Sequence, residues 1–506
     1  MFVRKKANRS GSVSVQIIDK SQGYRVVKTM GSSHDPQEVQ RLVELGEQFI
    51  SRQRGQYSLF PEDHHDRAVI ADFVNHLRNG SIRTIGPELI FGRLFDEIGF
   101  DAIPEGLFRD IVVARLVYPT SKLRTIDYLY RYQGKTVNVQ EVYRFLDRLN
   151  ERHALQAQEI AYRHTRKILK RIAVVFYDMT SLYFEAEEED DLRKVGFSKD
   201  GKFKNPQIML GLLVGEKGYP IGYDIFEGNT FEGKTLLPVL KQIQKRYRYG
   251  KPVVVADAAM LSKDNLDTLH KAKYPFIVAA RLRNETKAMQ ETILTRCRGL
   301  SNGQSVVIEH EQDRRLIVSY SDQRAKRDRY NRRRGLARLH KQIGSGRMTK
   351  EQLNNRGYNK FLRLTGEVTV EIDEAKIAQA GRWDGLKGYI TNTDLPPAEI
   401  IENYGQLWQI ERAFRISKTD LRIRPMYHRR RRRIEAHILV AFVAYTIYKE
   451  LERRLNEKKM PISPKRAAEL TQTMYEMTFR FPEDPENQRI LLKMDPEQQL
   501  LYDLIC

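Results

Sequence analysis

Cysteine is nearly absent: Cys297 and Cys506 are the only two among 506 residues, too few for a disulfide framework or a cysteine-based zinc site. Long apolar runs are lacking as well. The longest, Ile438 to Tyr448, falls well short of the roughly 20 residues a membrane-spanning helix needs. Met1 to Gly11 is polar and basic, without the apolar centre of a signal peptide. These absences lead to the expectation of a cytoplasmic, nucleoid-associated protein with no membrane partner. Acidic residues are in deficit, 65 Asp plus Glu against 87 Lys plus Arg, which leaves a formal charge of +22 and a pI near 9.7. That excess calls for a polyanionic partner, with nucleic acid ahead of an anionic membrane surface. Hydrophobic residues at 41% and charged residues at 30% are ordinary for a folded chain, and at about 150 residues per domain the length leaves room for roughly three domains.

Periodicity divides the chain. VSVQIID and YRVVKTM flank the turn-forming Lys20-Ser21-Gln22-Gly23 and predict a hairpin over 13 to 31, with a helix at about 36 to 53. From Asp66 to Lys170, segments such as IADFVNHL, ELIFGRLFDEI and EVYRFLDRL carry apolar residues at helical spacing. The pattern changes at Arg171, where IAVVFYD, PQIMLGLLVG and YPIGYDIF read as three strands and Gly215 to Gly218 joins the last two as a tight hairpin. Helix, strand (PVVVAD), helix and strand (YPFIVAAR) follow. Three antiparallel strands and then α-β-α-β is the order of a ribonuclease-H-like α/β core. The expected domains are 1–60 (β-hairpin and helix), 61–170 (helical), 171–282 with 386–455 (ribonuclease-H-like core), 283–385 (an inserted, mainly β subdomain) and 456–506 (C-terminal tail).

Three acids stand out. Asp178 ends the first strand, where a carboxylate can face a cleft; its ordinary reading is a turn residue. Asp257 ends VVVAD, and Ser262 is the better cap for the helix that follows, which leaves Asp257 without a local structural task. Glu411 lies in a helix expected over about 398 to 419, where pairing with Arg415 at i+4 is the ordinary reading. On that helix Tyr404, Leu407, Glu411 and Lys418 share one face, a mixture suited to lining a site. Carboxylates from two central strands and a late helix suit two magnesium or manganese ions, which prefer oxygen ligands and serve phosphoryl transfer on a nucleic acid strand.

At these residues the chain resembles DDE transposases of bacterial insertion sequences, in the group with the signature Y-x2-R-x3-E-x6-K. Tyr404, Glu411 and Lys418 stand at the matching positions, and Leu407 stands where the family has arginine. The segments YDMTSLYFE and LWQIERAFRISKTDLRIRPMYH are also similar to the family. The resemblance implies that Asp178, Asp257 and Glu411 are the catalytic, metal-binding triad, that two Mg2+ or Mn2+ ions are the cofactors, and that Tyr404 and Lys418 grip transposon-end DNA. It further implies DNA-end binding by the helical region 61–170, a catalytic role for 171–282 with 386–455, strand cleavage at insertion-sequence ends, strand transfer into target DNA, and a homodimer that holds terminal inverted repeats together. A cation other than residue 407 is expected near Glu411, from Arg412, Arg415 or Arg422. Arg415, Arg422 and Arg429, Arg430 and Arg431 of the five-arginine run are further expected DNA contacts.

Two competing readings remain at this level. Gly228 to Thr235 fits the phosphate-loop pattern G-x4-GKT, although the strand before it pairs antiparallel through a hairpin, unlike the parallel unit of a P-loop NTPase. A basic, non-catalytic nucleic-acid-binding protein derived from a transposase is the other. His64-His65, beside Asp63 and Asp66, read as a solvated cap at a helix start, and His428 and His437 flank the arginine run without zinc-type spacing.

Overall fold

The computed structural model describes residues 1–21, 23–53, 81–185, 188–197, 201, 204–247, 250–257, 263–345, 357–365, 369–479 and 487–506. His64-His65 and Ser262 lie outside them. Two compact units are present: Met1–Asn79 with Thr478–Gln488, and Gly80–Met477 with Arg489–Cys506.

In the first unit, β1 (Phe2–Ala7), β2 (Val13–Asp19) and β3 (Arg25–Ser33) form an antiparallel sheet in that order, followed by α1 (Pro36–Gln53). The hairpin and the helix stand where the sequence predicts them, and β1 is additional. FVRKKA is almost wholly exposed, so it carries no apolar alternation; its lysines and arginine protect a sheet edge. A register shift between Ile17 and Ile18 lets both of these neighbours be fully buried.

The second unit begins with helices α2 (Arg93–Ile98), α3 (Gly106–Val117), α4 (Lys122–Gln133), α5 (Val139–Arg148) and α6 (Ala154–Leu169). Ser121 and Asn138 cap α4 and α5 by accepting backbone N–H bonds. β4 (Ile82–Thr84) lies outside the main sheet, whose eight strands stand in the order β10 (Ser305–His310), β11 (Arg314–Tyr320), β14 (Leu386–Thr391), β9 (Phe276–Ala280), β8 (Val253–Ala256), β5 (Val174–Tyr183), β6 (Gln207–Gly215) and β7 (Pro220–Glu227). The core of this sheet is β5 to β9, with α7 (Leu236–Tyr247) and α8 (Lys263–Lys271) between the later strands. β5, β6 and β7 are antiparallel, whereas β8 runs parallel to both β5 and β9. This is the ribonuclease-H-like order expected. β6 is buried along its whole length and β5 along all but Asp178 and Tyr183, as central strands covered on both faces are.

Three structural differences from the sequence reading matter for the site. Asp178 lies inside β5 and not at its end, because β6 supports β5 as far as Tyr183 after β8 has stopped. The insert is not mainly β. It contains α9 (Lys287–Arg296), β10 (Ser305–His310), β11 (Arg314–Tyr320), the 23-residue α10 (Asp322–Gly344), a hairpin of β12 (Leu362–Thr365) and β13 (Thr369–Ile372), and α11 (Glu374–Gly381). Its β10 and β11 join the main sheet beyond β14 (Leu386–Thr391). Finally, the helix expected over 398 to 419 is divided into α12 (Pro397–Gly405), α13 (Trp408–Arg415) and a π-helical turn, Ile416–Asp420. Gly405 is a poor helix former, and the turn after it lets Leu407 pack towards the core.

The apolar run of the sequence lies in the 27-residue α14 (Arg431–Glu457), which is sheathed by α3, α5, α6 and β7. It is a core helix. Among the described residues no helix is long and apolar enough to cross a membrane.

Candidate active site

Strand register brings the first two acids together. β5 and β8 pair in parallel from Val174↔Val253 to Tyr177↔Ala256, so the next step along both chains sets Asp178 beside Asp257 on neighbouring strands. Such strands lie about 4.8 Å apart. Side chains alternate between faces: Phe176 and Val255 enter the core shared with α12, α13 and α14, while Tyr177 and Ala256 enter the core on the other side. Asp178 and Asp257 therefore share the face of Phe176 and Val255. Since β8 ends at Ala256 and β5 continues, a notch opens in the sheet at this point; Asp257 is exposed there and Asp178 is half-buried. Asp178 Oδ1 accepts the Met179 backbone N–H at 2.7 Å.

α12 supplies the next group. The Tyr404 hydroxyl donates to Asp257 Oδ1 at 3.3 Å, and its ring meets that of Tyr389 at 5.1 Å, edge on. Burial, followed by the charge of Asp257 and this hydrogen bond, pushes the Tyr404 hydroxyl far above the usual tyrosine range, and the Glu411 charge acts in the same direction. Tyr404 is thus a permanent donor, not an exposed DNA-gripping side chain: only 7% of its surface is accessible. Lys387, from β14, lies with Nζ 4.3 Å from the Tyr404 ring centroid and 5.3 Å from that of Tyr389. Burial lowers its affinity for the proton and the Arg324 charge lowers it further, while Asp257 opposes them.

Glu411 is exposed in the first turn of α13, which packs through Ile410, Ala413 and Phe414 against β5 and β6. Of the four residues expected on one helix face, Tyr404 and Leu407 pack on the same core, whereas Glu411 is exposed and Lys418 half-buried. Among the described residues no group of three His, Cys, Asp or Glu side chains is close enough to hold a metal ion. What the fold brings together is the pair Asp178 and Asp257 with Tyr404.

Arg412 is ion-paired with Glu452, and Arg415 and Arg422 are exposed. The cation beside Asp257 is Lys387, which sequence reasoning missed. Its one signal is its place in LKGYITN, two residues before Tyr389, which puts both on the face of the acids. In the arginine run, Arg429 and Arg430 are exposed. Arg431 pairs with Glu435 at 2.8 Å, Arg433 holds Asp147 through two bonds of 2.9 Å, and Arg432 reaches Asp147 and Glu151. Cations at a helix start oppose its dipole; here acids of the helical block offset them.

The phosphate-loop pattern has no phosphate cradle. The N–H groups of Gly228, Thr230, Lys234 and Thr235 are bonded to the carbonyls of Leu192, Glu227, Phe231 and Glu232. A Cβ at Gly228 would run into the backbone carbonyls of Gln207 and Lys194. Thr235 is fully buried and accepts the Tyr177 hydroxyl at 3.0 Å, while Lys234 is exposed.

A family model described as a transposase DDE domain matches residues 170–447, more than half of the chain. Similar solved structures include a piggyBac transposase synaptic complex with hairpin DNA, at 11% identity over 76% of each chain and a TM-score of 0.39. A Mos1 transposase paired-end complex with the left transposon end matches at 13% identity over 46% of this chain and 66% of the other, with a TM-score of 0.16. The Mos1 strand transfer complex matches at 14% identity, over the same shares and with the same TM-score. No protein of curated function matches the chain.

Proposed function

The chain belongs to the DDE transposase family, and from that premise we propose that Asp178, Asp257 and Glu411 are the acids with which it cleaves DNA at insertion-sequence ends and joins the freed strands to target DNA. The observation that carries the assignment is the pairing of Asp178 and Asp257 on adjacent parallel strands, on one face, at the notch where β8 ends. Glu411 is assigned by its matching position in the family signature and by its charge acting on Tyr404; to join the pair its exposed side chain has to swing towards the notch.

Two magnesium or manganese ions suit this donor set. It consists of carboxylate oxygens, and magnesium is commonly held by only one or two carboxylates together with substrate phosphates. When bound, such ions activate a water or a 3′-hydroxyl and stabilise the leaving oxygen. The protein's own groups do the rest. Tyr404 fixes the orientation of Asp257 while staying protonated. Lys387 tempers the negative charge of the notch, so a phosphodiester can approach two carboxylates. Lys418, Arg415, Arg422, Arg429 and Arg430, with Arg431 through the side of its ion pair open to solvent, supply phosphate contacts along the strand. A homodimer would hold two ends during synapsis.

The test uses purified protein and labelled insertion-sequence ends, with and without magnesium. Asp178→Asn, Asp257→Asn and Glu411→Gln are each expected to abolish strand cleavage and leave end binding within about threefold, since the acids position the reaction and not the duplex. Cleavage that survives in any one of them removes that acid from the assignment.

A further inference from the structure

A cavity of about 590 Å³ lies beside the acids, between the β9 and β14 ends of the sheet, the base of α10 and the segment Tyr358–Phe361. Its wall carries five cations, Arg283, Arg324, Arg332, Lys360 and Lys387, and two acids, Asp328 and Asp384. The acids are already occupied. Asp384 is held by Arg332 through two bonds of 2.6 Å; Asp328 accepts the Gly385 N–H at 3.2 Å and lies 3.8 Å from Arg324. Arg283, Lys360 and Lys387 make no ion pair with any described acid. Arg283 donates to the Ala380 carbonyl at 3.4 Å, and the two lysines face the rings of Phe361 and Tyr404.

Arg283 repels Lys360; on Arg283 the attraction of Asp384 and Asp328 is opposed by Arg332 and Arg324, and on Lys387 the repulsion of Arg324 is opposed by Asp257. Lys360 and Lys387 are half-buried, and burial alone weakens the hold of both on their protons. Five partly desolvated cations facing two acids that are already bonded leave an excess of positive charge in the cavity wall, which costs stability in the free protein, so their arrangement is one that an anion would relieve. Lys387 also identifies the anion. The same ammonium stands over the tyrosine that holds Asp257, so whatever enters the cavity is continuous with the substrate of the acids.

We propose that this cavity, through Arg283, Lys360 and Lys387, takes a backbone phosphate of the DNA strand next to the phosphodiester being cut. The inference rests on the proposed reading of Asp178 and Asp257 and extends it to a second anchoring point, to which the inserted segment contributes Arg283 and Lys360 and the core strand β14 contributes Lys387.

The experiment measures binding of the full chain to an end duplex in EDTA, across a salt series. Arg283→Gln with Lys360→Gln should flatten the plot of log K against log salt by about 0.9 for each lost phosphate contact. Arg283→Lys with Lys360→Arg should keep the slope, which separates charge from folding. A neutral methylphosphonate walked along the strand should weaken the parent protein at one position near the cut and have no further effect on the Gln double variant, the sign of direct coupling. An unchanged slope, or methylphosphonate losses equal in both proteins, would overturn the cavity assignment while leaving the acids untouched. Cleavage persisting in Asp178→Asn would instead overturn the reading on which it rests.

Discussion

Replacing Tyr404 by phenylalanine removes one oxygen from the site and keeps the ring. The lost bond is a 3.3 Å donation to Asp257 Oδ1. Hydrogen bonds to a charged acceptor are worth about 1.5–3 kcal/mol, and this one is long, so the low end applies. Asp257 is exposed, hence water takes over part of the vacated bond and the fold should lose less than about 1 kcal/mol. The ring contacts with Tyr389 and Lys387 remain. What changes is the freedom of the Asp257 carboxylate to turn away. Partners that orient a metal-binding carboxylate typically contribute 10–100-fold in metal affinity, and a weak bond on an exposed acid places the effect near tenfold, about 1.4 kcal/mol. A magnesium titration of end cleavage should therefore show a half-maximal concentration raised about tenfold, with the rate at saturating metal close to that of the parent. Superimposable titrations would refute the positioning role. A fall in the saturating rate with no shift in the titration would show that the hydroxyl acts on the DNA itself.

Arg429→Ser with Arg430→Ser should flatten the salt dependence of DNA binding by about 1.8 if each makes one phosphate contact, whereas Arg433→Ser should lower stability by about 1 kcal/mol through the loss of its Asp147 pair; denaturant midpoints and binding slopes separate the two. Lys234→Ala should leave DNA cleavage unchanged and ATP hydrolysis at background, and an ATPase activity lost in this variant would restore the phosphate-loop reading. His428 is pushed down to about 3 by burial, with Lys122, Arg115 and Arg433 adding to the effect and Asp147 opposing it. The unfolded chain takes up this proton below about pH 6.5 and the folded chain does not, so stability is lost as pH falls. Between pH 7 and 5 the linkage amounts to about 2 kcal/mol, and His428→Gln should flatten the pH dependence of the denaturant midpoint by that amount.

The central strands were legible because both of their faces are covered, which writes β-rich apolar runs into VVFYD and VVVAD and leaves the two aspartates as interruptions. The same logic explains what was not legible. β1 is a charged edge strand with no apolar alternation to detect. α10 buries only Ala325, Gly335 and Leu339 of its 23 residues, so its helical period is nearly silent beneath arginines and lysines. β11 pairs with β14 across some 70 residues of chain, and no local pattern encodes a partner at that distance. The break after Gly405 was hidden because residues on both sides keep helical spacing, and only packing reveals that Leu407 turns inward.

Leu407 marks the departure from the family signature, and its surroundings account for it. At the break between α12 and α13 its half-buried side chain packs on the apolar core, a contact that a guanidinium would replace at some cost in desolvation. Positive charge near the acids is nevertheless present, because Lys387 reaches the same tyrosine from β14, across the sheet face and not along the helix. A cation on a central strand is held more firmly than one at a helix break: β14 is paired on both sides, to β9 and to β11, and two aromatic rings line the ammonium. Two adjacent carboxylates call for a local positive charge, wherever it originates, if they are to receive a phosphodiester as proposed. A signature written along one helix records one way of meeting that requirement, while the fold admits another from the strand that faces it.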